Sequence, residues 1–365
     1  MPVSAKSQNL RKDVGGSACV VRQVTYIGNF LSRHGLNPTY AEALVPRLRD
    51  CGFNVISASS HLNGVFRLLD MMQAVVRTSS ERACAIIDLY GGPRAYNAAI
   101  AVARLCRILR KRYIVTLHGG SLLQRLDNSR ASLLSMLRGA ALVTSPSAYL
   151  AQSFAGLLPV SVIPNGLDVS AYSFRLRSDV RPRCLYLRAF HRFLDPMTAI
   201  RAFALVKREH PDAILRMVGP DEDGTLANCH GLVSELKLEG SVEFSGRIPK
   251  AEVPGLANSF DIFINATHYE SFGVAVMEAA ACGLCIVSTN VGELPLLWRH
   301  GQDALLVPPG DVSRMAEEVR RILTVPGLAE RLSSNARAKA ETFDWSFILP
   351  LWEKAISRVC AQQGD

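Results

Sequence analysis

The stretch NATHYESFGVAVMEAAACGLCIVST, residues 265–289, sets two glutamates, Glu270 and Glu278, eight positions apart in otherwise apolar surroundings. On one continuous helix that spacing would leave them about 80 degrees apart, an awkward shared face for two carboxylates acting together. A break between them fits better. Ser271, Phe272 and Gly273 read as a helix start, which leaves Glu270 in the loop at a strand's end and Glu278 inside the helix. The helix N-terminus then points its amides at an anion, with one carboxylate before it and the other about a turn and a half in. The plainer reading gives both carboxylates no task beyond favouring that helix terminus.

Three other stretches place polar groups after apolar strands. GNFLSRHGLNPT carries Gly28 and Gly35 before a helix expected from Asn37 and Pro38, either a cradle for a phosphate or an ordinary turn. It is not a G-x-G-x-x-G, so the dinucleotide fingerprint is absent. In LHGG, His118 ends a strand and two glycines follow, which puts an imidazole at the sheet's carboxyl edge. In CLYLRAFHRFLDP, Arg188, His191 and Arg192 fall within five residues, as either a diphosphate clamp or a solvated loop. Asp221 to Asp223 spell a literal D-x-D, the pattern of some metal sites. They follow MVGP at a turn, where acidic residues favour the next helix, and no further oxygen ligands stand nearby, so no metal is expected.

These groups need strands and helices to hold them. Short apolar, β-branched runs alternate with amphipathic helical stretches along the chain, the pattern of doubly wound α/β domains. The strand runs are RQVTYIGNF, FNVISAS, ACAIIDLY, RYIVTLHG, ALVTSPS and PVSVIPNG, then CLYLRAF, AILRMVGP, SVEFSG, DIFINAT, LCIVST and ALLVPP. Two sets of six imply two Rossmann-like, doubly wound parallel-sheet domains, over residues 19–166 and 184–342, with an arginine-rich linker at 167–183. Ligands of such sheets bind beyond the carboxyl ends of the strands, where all four stretches fall.

The 365 residues suit two domains, and 48% hydrophobic with 20% charged residues is ordinary globular composition. A net charge of +9 points to acidic partners: phosphorylated small molecules, nucleic acid or an anionic membrane surface. Nine cysteines without regular spacing read as reduced thiols of a cytosolic protein, and Cys282 and Cys285 as buried small residues rather than a zinc pair. Residues 1–18 lack the apolar centre of a signal peptide and read as a disordered tail. No later run is long enough to span a bilayer, so the expectation is a soluble or peripheral protein at the cytoplasmic side. Residues 95–112, with arginines at 104, 107 and 110, are the candidate for peripheral contact; the alternative is that these cations complement a helix dipole.

The segment at 265–289 resembles the signature of retaining glycosyltransferases with two Rossmann-like domains, the GT-B fold, and specifically the family 4 group. The resemblance runs through LHGG and VIPNGLD in the first half to VGPDEDG, VEFSGRIPKAEV and DALLVPPGD in the second. The closing FDWSFILPLW resembles a last helix, residues 343–365, that crosses back onto the first domain across a central cleft. It implies transfer of a sugar from a nucleotide-diphosphate donor to a sugar, lipid-linked or small-molecule acceptor, with no metal cofactor and no nucleic acid. Glu278 would accept from the ribose hydroxyls, and Gly246 and Arg247 would flank the base. Glu270 would face the reacting sugar, with Ser271, Phe272 and Gly273 beside the donor. Arg188 would neutralise the diphosphate, with Arg192 or His191 assisting, and His118 would approach the sugar from the first domain. Two positions depart from the family: Phe193 stands where a second diphosphate-binding lysine is usual, and Glu293 follows Gly292 where a second glycine is usual. A nucleotide-sugar epimerase or hydrolase, or a catalytically weak nucleotide-sugar-binding protein, would share the same architecture.

Overall fold

The computed structural model describes residues 23–78, 83–119 and 121–361; the tail read at 1–18 lies outside them. The first half contains β1 (Gln23–Ile27), α1 (Tyr40–Asp50), β2 (Asn54–Ala58), α2 (Gly64–Arg77), β3 (Cys84–Tyr90) and α3 (Pro93–Ile108). It continues with β4 (Arg112–His118), α4 (Ser121–Asn128), α5 (Arg130–Arg138), β5 (Leu142–Ser145), α6 (Ala148–Phe154) and β6 (Ser161–Val162). The second half holds β7 (Arg183–Leu187), α7 (Pro196–Glu209), β8 (Ile214–Val218), α8 (Thr225–Glu235), β9 (Val242–Phe244) and α9 (Val253–Asn258). β10 (Ile262–Asn265), α10 (Val274–Ala281), β11 (Cys285–Thr289), α11 (Leu294–Leu297), β12 (Leu305–Val307), α12 (Val312–Thr324), α13 (Leu328–Glu341) and α14 (Trp345–Ala361) follow.

The strands form two six-stranded parallel sheets, ordered β2-β1-β3-β4-β5-β6 and β12-β11-β10-β7-β8-β9. The second order is that of a dinucleotide-type α/β fold, and its direction reverses between β7 and β10. Strands covered by helices on both faces must be apolar throughout, and the central ones are: β10 and β11 are buried along their length. α10 follows the same logic in another form. Its alanine run, Ala279 to Ala281, shares an apolar cluster with Ala336 and Ala340 of α13, so small side chains let two helices approach closely. Gly283 ends it at φ 77, and a Cβ there would lie 2.6 Å from the Arg175 carbonyl oxygen. None of the described cysteines forms a disulfide, and all but Cys51 are buried.

The segment at 167–183, read as a loose linker, is pinned to the second domain. Arg175, Arg177 and Arg181 converge on Asp261, which is fully buried at the start of β10. Arg177 is itself fully buried, and desolvation pushes its guanidinium down to about 10. Its two Nη groups donate to carbonyls of Arg175, Ala257, Phe260 and Cys282, so the charge serves to stitch backbone.

The chain crosses between the domains at two places that lie side by side. Leu167 N–H donates to the Phe343 carbonyl at 2.8 Å, and Trp345 N–H donates to the Leu167 carbonyl at 3.2 Å. α14 then packs on the first domain, where Trp345, Ile348, Trp352 and Ile356 join Val24, Leu44 and Ile114 in one cluster. Trp352 is fully buried and its Nε1–H donates to Tyr40 Oη at 2.8 Å, while Tyr40 stacks on Trp345 at 5.4 Å. Trp352→Ala removes a large buried side chain and leaves Tyr40 without its donor. Chemical denaturation should read a loss of about 3–5 kcal/mol; a loss under about 1 kcal/mol would show that α14 is not part of the cooperative fold.

Candidate active site

The reversal between β7 and β10 puts the residues after those two adjacent strands at one crevice. Arg188 follows β7, and Glu270 lies in the loop after β10; their side chains form an ion pair through Arg188 Nη1 and Glu270 Oε2. The partners are 16% and 9% exposed, so each charge depends on the other for compensation. Burial opposes the guanidinium's charge, and Glu270 more than offsets it, holding Arg188 above its ordinary value. The other carboxylate oxygen, Oε1, accepts from the Ser271 N–H at 3.1 Å and the Phe272 N–H at 3.4 Å.

The helix begins at Val274 after Gly273, whose φ of 93 belongs to the left-handed region. Glu270 therefore sits in the preceding loop and Glu278 inside α10, as the break between them requires. Glu278 is 4% exposed and accepts from Tyr172 Oη at 3.1 Å and from Lys250 Nζ. Lys250 is part-exposed, yet desolvation beside the cleft wall pushes its ammonium down to about 8.

A cleft of about 570 Å³ opens at this place, lined by Arg188, Arg247, Glu270, Ser271, Phe272, Gly273 and Glu278 from the second domain. Leu36, Asn37 and Asn165 line it from the first domain, so the cavity lies between the two sheets. Lys250, Glu222 and Asn165 were not singled out in the sequence. Asn165 Oδ1 is buried without a partner, an acceptor at the cleft wall. The cations of the wall are thus Arg188, Arg247 and Lys250, and the last comes from the turn before α9 rather than from the strand carrying Arg188.

The remaining expected residues lie elsewhere. Phe193 is exposed, Arg192 stacks its guanidinium over that ring at 5.0 Å, and His191 Nδ1 accepts from the Phe193 N–H. Neither Arg192 nor His191 lines the cleft. Gly246 precedes Arg247 without lining the cavity; its carbonyl accepts from the Gly219 N–H at 2.8 Å. Gly35 ends a short turn at φ 78, next to Leu36. Two amides of its loop are engaged, since Glu42 accepts from the Ser32 N–H at 3.0 Å and the Thr39 N–H at 2.8 Å.

His118 is 8% exposed at the end of β4, stacked on Tyr90 at 4.9 Å, with Nε2 3.0 Å from Asp88 Oδ1. Tyr26 Oη donates to the same oxygen, and Gly28 leaves room for the second one: a Cβ on Gly28 would lie 2.8 Å from Asp88 Oδ2. This cluster stands at the first sheet's own reversal, between β1 and β3, outside the lining of the main cavity.

Two acidic features receive structural roles. Asp221 accepts from Gly224 N–H and Asp223 from Thr225 N–H at the start of α8, with Asp223 also accepting from Arg192 N–H. Among the described residues no three His, Cys, Asp or Glu side chains converge as a metal site. Glu293 turns away from the cleft and lies against the first domain, where it accepts from Ser147 Oγ at 2.7 Å.

With this geometry in view, residues 177–339 match the family model "Glycosyl transferases group 1", which is the second domain and its approach. The chain is 30% identical over 202 residues to the glycogen synthase of Mycobacterium tuberculosis, covering 53% of this chain and 47% of that one. It is 32% identical over 203 residues to a D-inositol 3-phosphate glycosyltransferase of Actinosynnema mirum, covering 51% and 48%. The chain thus spans about half the length of the curated relatives it matches. Over nearly the whole chain the fold is that of sucrose-phosphate synthase from Thermosynechococcus elongatus: TM-score 0.75, 17% identity, 94% of this chain and all of that one. HepE of Anabaena, solved in complex with UDP and glucose, gives 0.70 at 19% identity, covering 92% of this chain and all of that one. The architecture is GT-B, two parallel-sheet α/β domains, and the second domain matches the group 1 glycosyltransferase model.

Arg188→Met would leave Glu270 buried without its counter-charge. Denaturation should show a loss of about 3–5 kcal/mol, largely recovered when Glu270→Met is added. Additive losses in the pair would mean the two side chains are energetically independent.

Proposed function

We propose that the protein is a retaining, metal-independent glycosyltransferase that moves a sugar from a nucleotide-diphosphate donor to an acceptor hydroxyl. The observation that carries this reading is the buried Arg188–Glu270 pair opening onto an interdomain cleft at the β7/β10 reversal. A diphosphate brings negative charge to the very crevice where Arg188, Arg247 and Lys250 stand. Three carboxylates, Glu222, Glu270 and Glu278, balance those cations in the same wall, so the donor must share them. In the reaction the bond between the anomeric carbon and the diphosphate oxygen breaks as the acceptor oxygen bonds to that carbon on the same face. The acceptor's proton passes to the departing phosphate, and Arg188 stabilises the charge that develops there.

Glu278 holds the ribose hydroxyls in this reading, with Lys250 and Tyr172 yielding part of their contact. Ser271, Phe272 and Gly273 border the donor sugar, Gly246 and Arg247 the base, and Glu270 the reacting centre. His118, which lies outside the cavity lining, contributes from the first domain once the cleft closes.

A nucleotide-sugar thermal-shift screen identifies the donor, since a ligand of the native state raises its stability by mass action. With that donor, Glu278→Ala should weaken binding by about 1.5–3 kcal/mol. Glu270→Gln should lower turnover at saturating donor and leave nucleoside-diphosphate affinity nearly unchanged. Normal turnover in Glu270→Gln rejects its assignment. Activity lost to a chelator and restored by manganese rejects the metal-free mechanism, and product formed equally without acceptor points to the epimerase or hydrolase reading. Donor binding with no turnover against any acceptor identifies a binding protein.

One observation bears on the acceptor. Leu62, Val65, Phe66 and Leu69, at and before the first turns of α2, are all more than half exposed, beside Arg33 and His34, which bind the Ser60 carbonyl. Apolar side chains edged by the Arg33 guanidinium fit an acceptor held at an anionic membrane surface, at the inner face of the cytoplasmic membrane. Residues 95–112 offer a second candidate contact, where Arg107 donates to Ser135 Oγ and Ile108 is exposed at the end of α3. No helix among the described residues is long and apolar enough to cross a membrane. The protein should sediment with phosphatidylglycerol vesicles, and Leu62→Ser with Phe66→Ser should weaken this about tenfold; indifference to the vesicles removes the membrane reading.

A further inference from the structure

We infer that Glu293 is a positioning residue that makes the placement of Glu270 depend on how the first domain is seated. The inference rests on the catalytic reading of Glu270 above. Glu293 is 1% exposed and spends its carboxylate wholly across the domain boundary. Oε2 accepts from Ser147 Oγ at 2.7 Å and from the Tyr149 N–H at 2.7 Å, and Oε1 accepts from the Ala148 N–H at 3.0 Å. Three donors from one turn of the first domain leave that side chain little freedom while the domains are together. When they part, all three contacts are lost at once.

The same residue grips the catalytic loop through its backbone. Glu293 N–H donates to the Glu270 carbonyl at 3.0 Å. Gly292, at φ 57, lets the two segments touch: a Cβ there would lie 2.0 Å from that carbonyl oxygen. A second route runs beside the first. Tyr149, one of the donors, sets its ring edge-on to Tyr269 at 6.2 Å, and Tyr269 directly precedes Glu270. Both routes begin at the turn entering α6 and end on the backbone of residues 269–270. Glu270 in turn holds Arg188 with one oxygen and the amides of Ser271 and Phe272 with the other. The first domain, by seating on Glu293, therefore fixes the carboxylate that faces the cleft, and an open molecule loses that support.

Two variants approach the contact from opposite sides. Glu293→Gln keeps the shape but turns an NH2 toward a donor; Ser147→Ala removes one donor from the first domain and leaves the second domain's sequence intact. The amides of Ser271 and Phe272 report on Glu270 directly, because its carboxylate is what they bond. Hydrogen exchange at these two amides should quicken at least tenfold in both variants, and unchanged exchange overturns the proposal whether or not the protein transfers a sugar. Turnover at saturating donor should fall roughly ten- to a hundredfold, the scale of a displaced catalytic group. Affinity for UDP and GDP, measured by calorimetry, should stay within twofold of wild type for whichever one binds. Exchange that quickens with turnover unaffected rejects the link to catalysis. A protein with no transfer activity in wild-type form refutes the function reading alone, since the exchange arm still decides the positioning claim. If Glu293→Gln does not fold, Ser147→Ala carries both arms by itself.

Discussion

A carboxylate and a guanidinium meet where the second sheet reverses its strand order, and neither tolerates burial without the other. The Arg188–Glu270 pair depends on β7 and β10 being neighbours and on Glu270 lying in the loop between β10 and α10. Taking two charges out of water costs several kcal/mol each unless their geometry compensates, so the surrounding fold must hold them in register. The amides of Ser271 and Phe272 add to that register by satisfying the carboxylate's second oxygen.

Paired charges recur wherever two pieces of chain must be held together. Asp261 gathers three arginines of the interdomain segment at the base of β10, on the strand whose other end leads to Glu270. Arg47 lies over Trp345 at 4.6 Å and reaches Asp168 at 3.5 Å, close to where the two chain crossings run side by side. Side-by-side crossings with few residues between the domains suit a hinge, while α14 anchors the far end by apolar contact with the first sheet. The excess of basic residues is thus partly structural. Arg177 never meets solvent, and the cleft itself carries as many carboxylates as cations.

The cleft's balance of charge has a chemical meaning. A cavity with free cations would bind any anion strongly and release a diphosphate product slowly. In the proposed reaction, cations already engaged by Glu270 and Glu278 would exchange partners as a donor arrives, which would moderate ground-state binding and leave the strongest interaction for the stage at which charge builds on the leaving group.

The sequence alone determined much of this protein. Two sets of apolar runs defined twelve strands because fully covered parallel strands must be apolar throughout, and local turn chemistry marked the break between Glu270 and Glu278. Asp221 and Asp223 were legible as helix-capping groups for the same reason: capping is settled within a few residues of chain. Contacts between distant segments were not legible. Lys250, Asn165 and the partners of Glu293 lie far from the signature segment in sequence and reach their places only when two sheets and a crossing helix close around one cleft. Phe193 in the expected lysine's place gave no hint that another element supplies a cation, and the charge of Glu293 gave no sign of its direction. A side chain's type follows from the chain, but where a charge points is decided by which distant donors the fold brings to it.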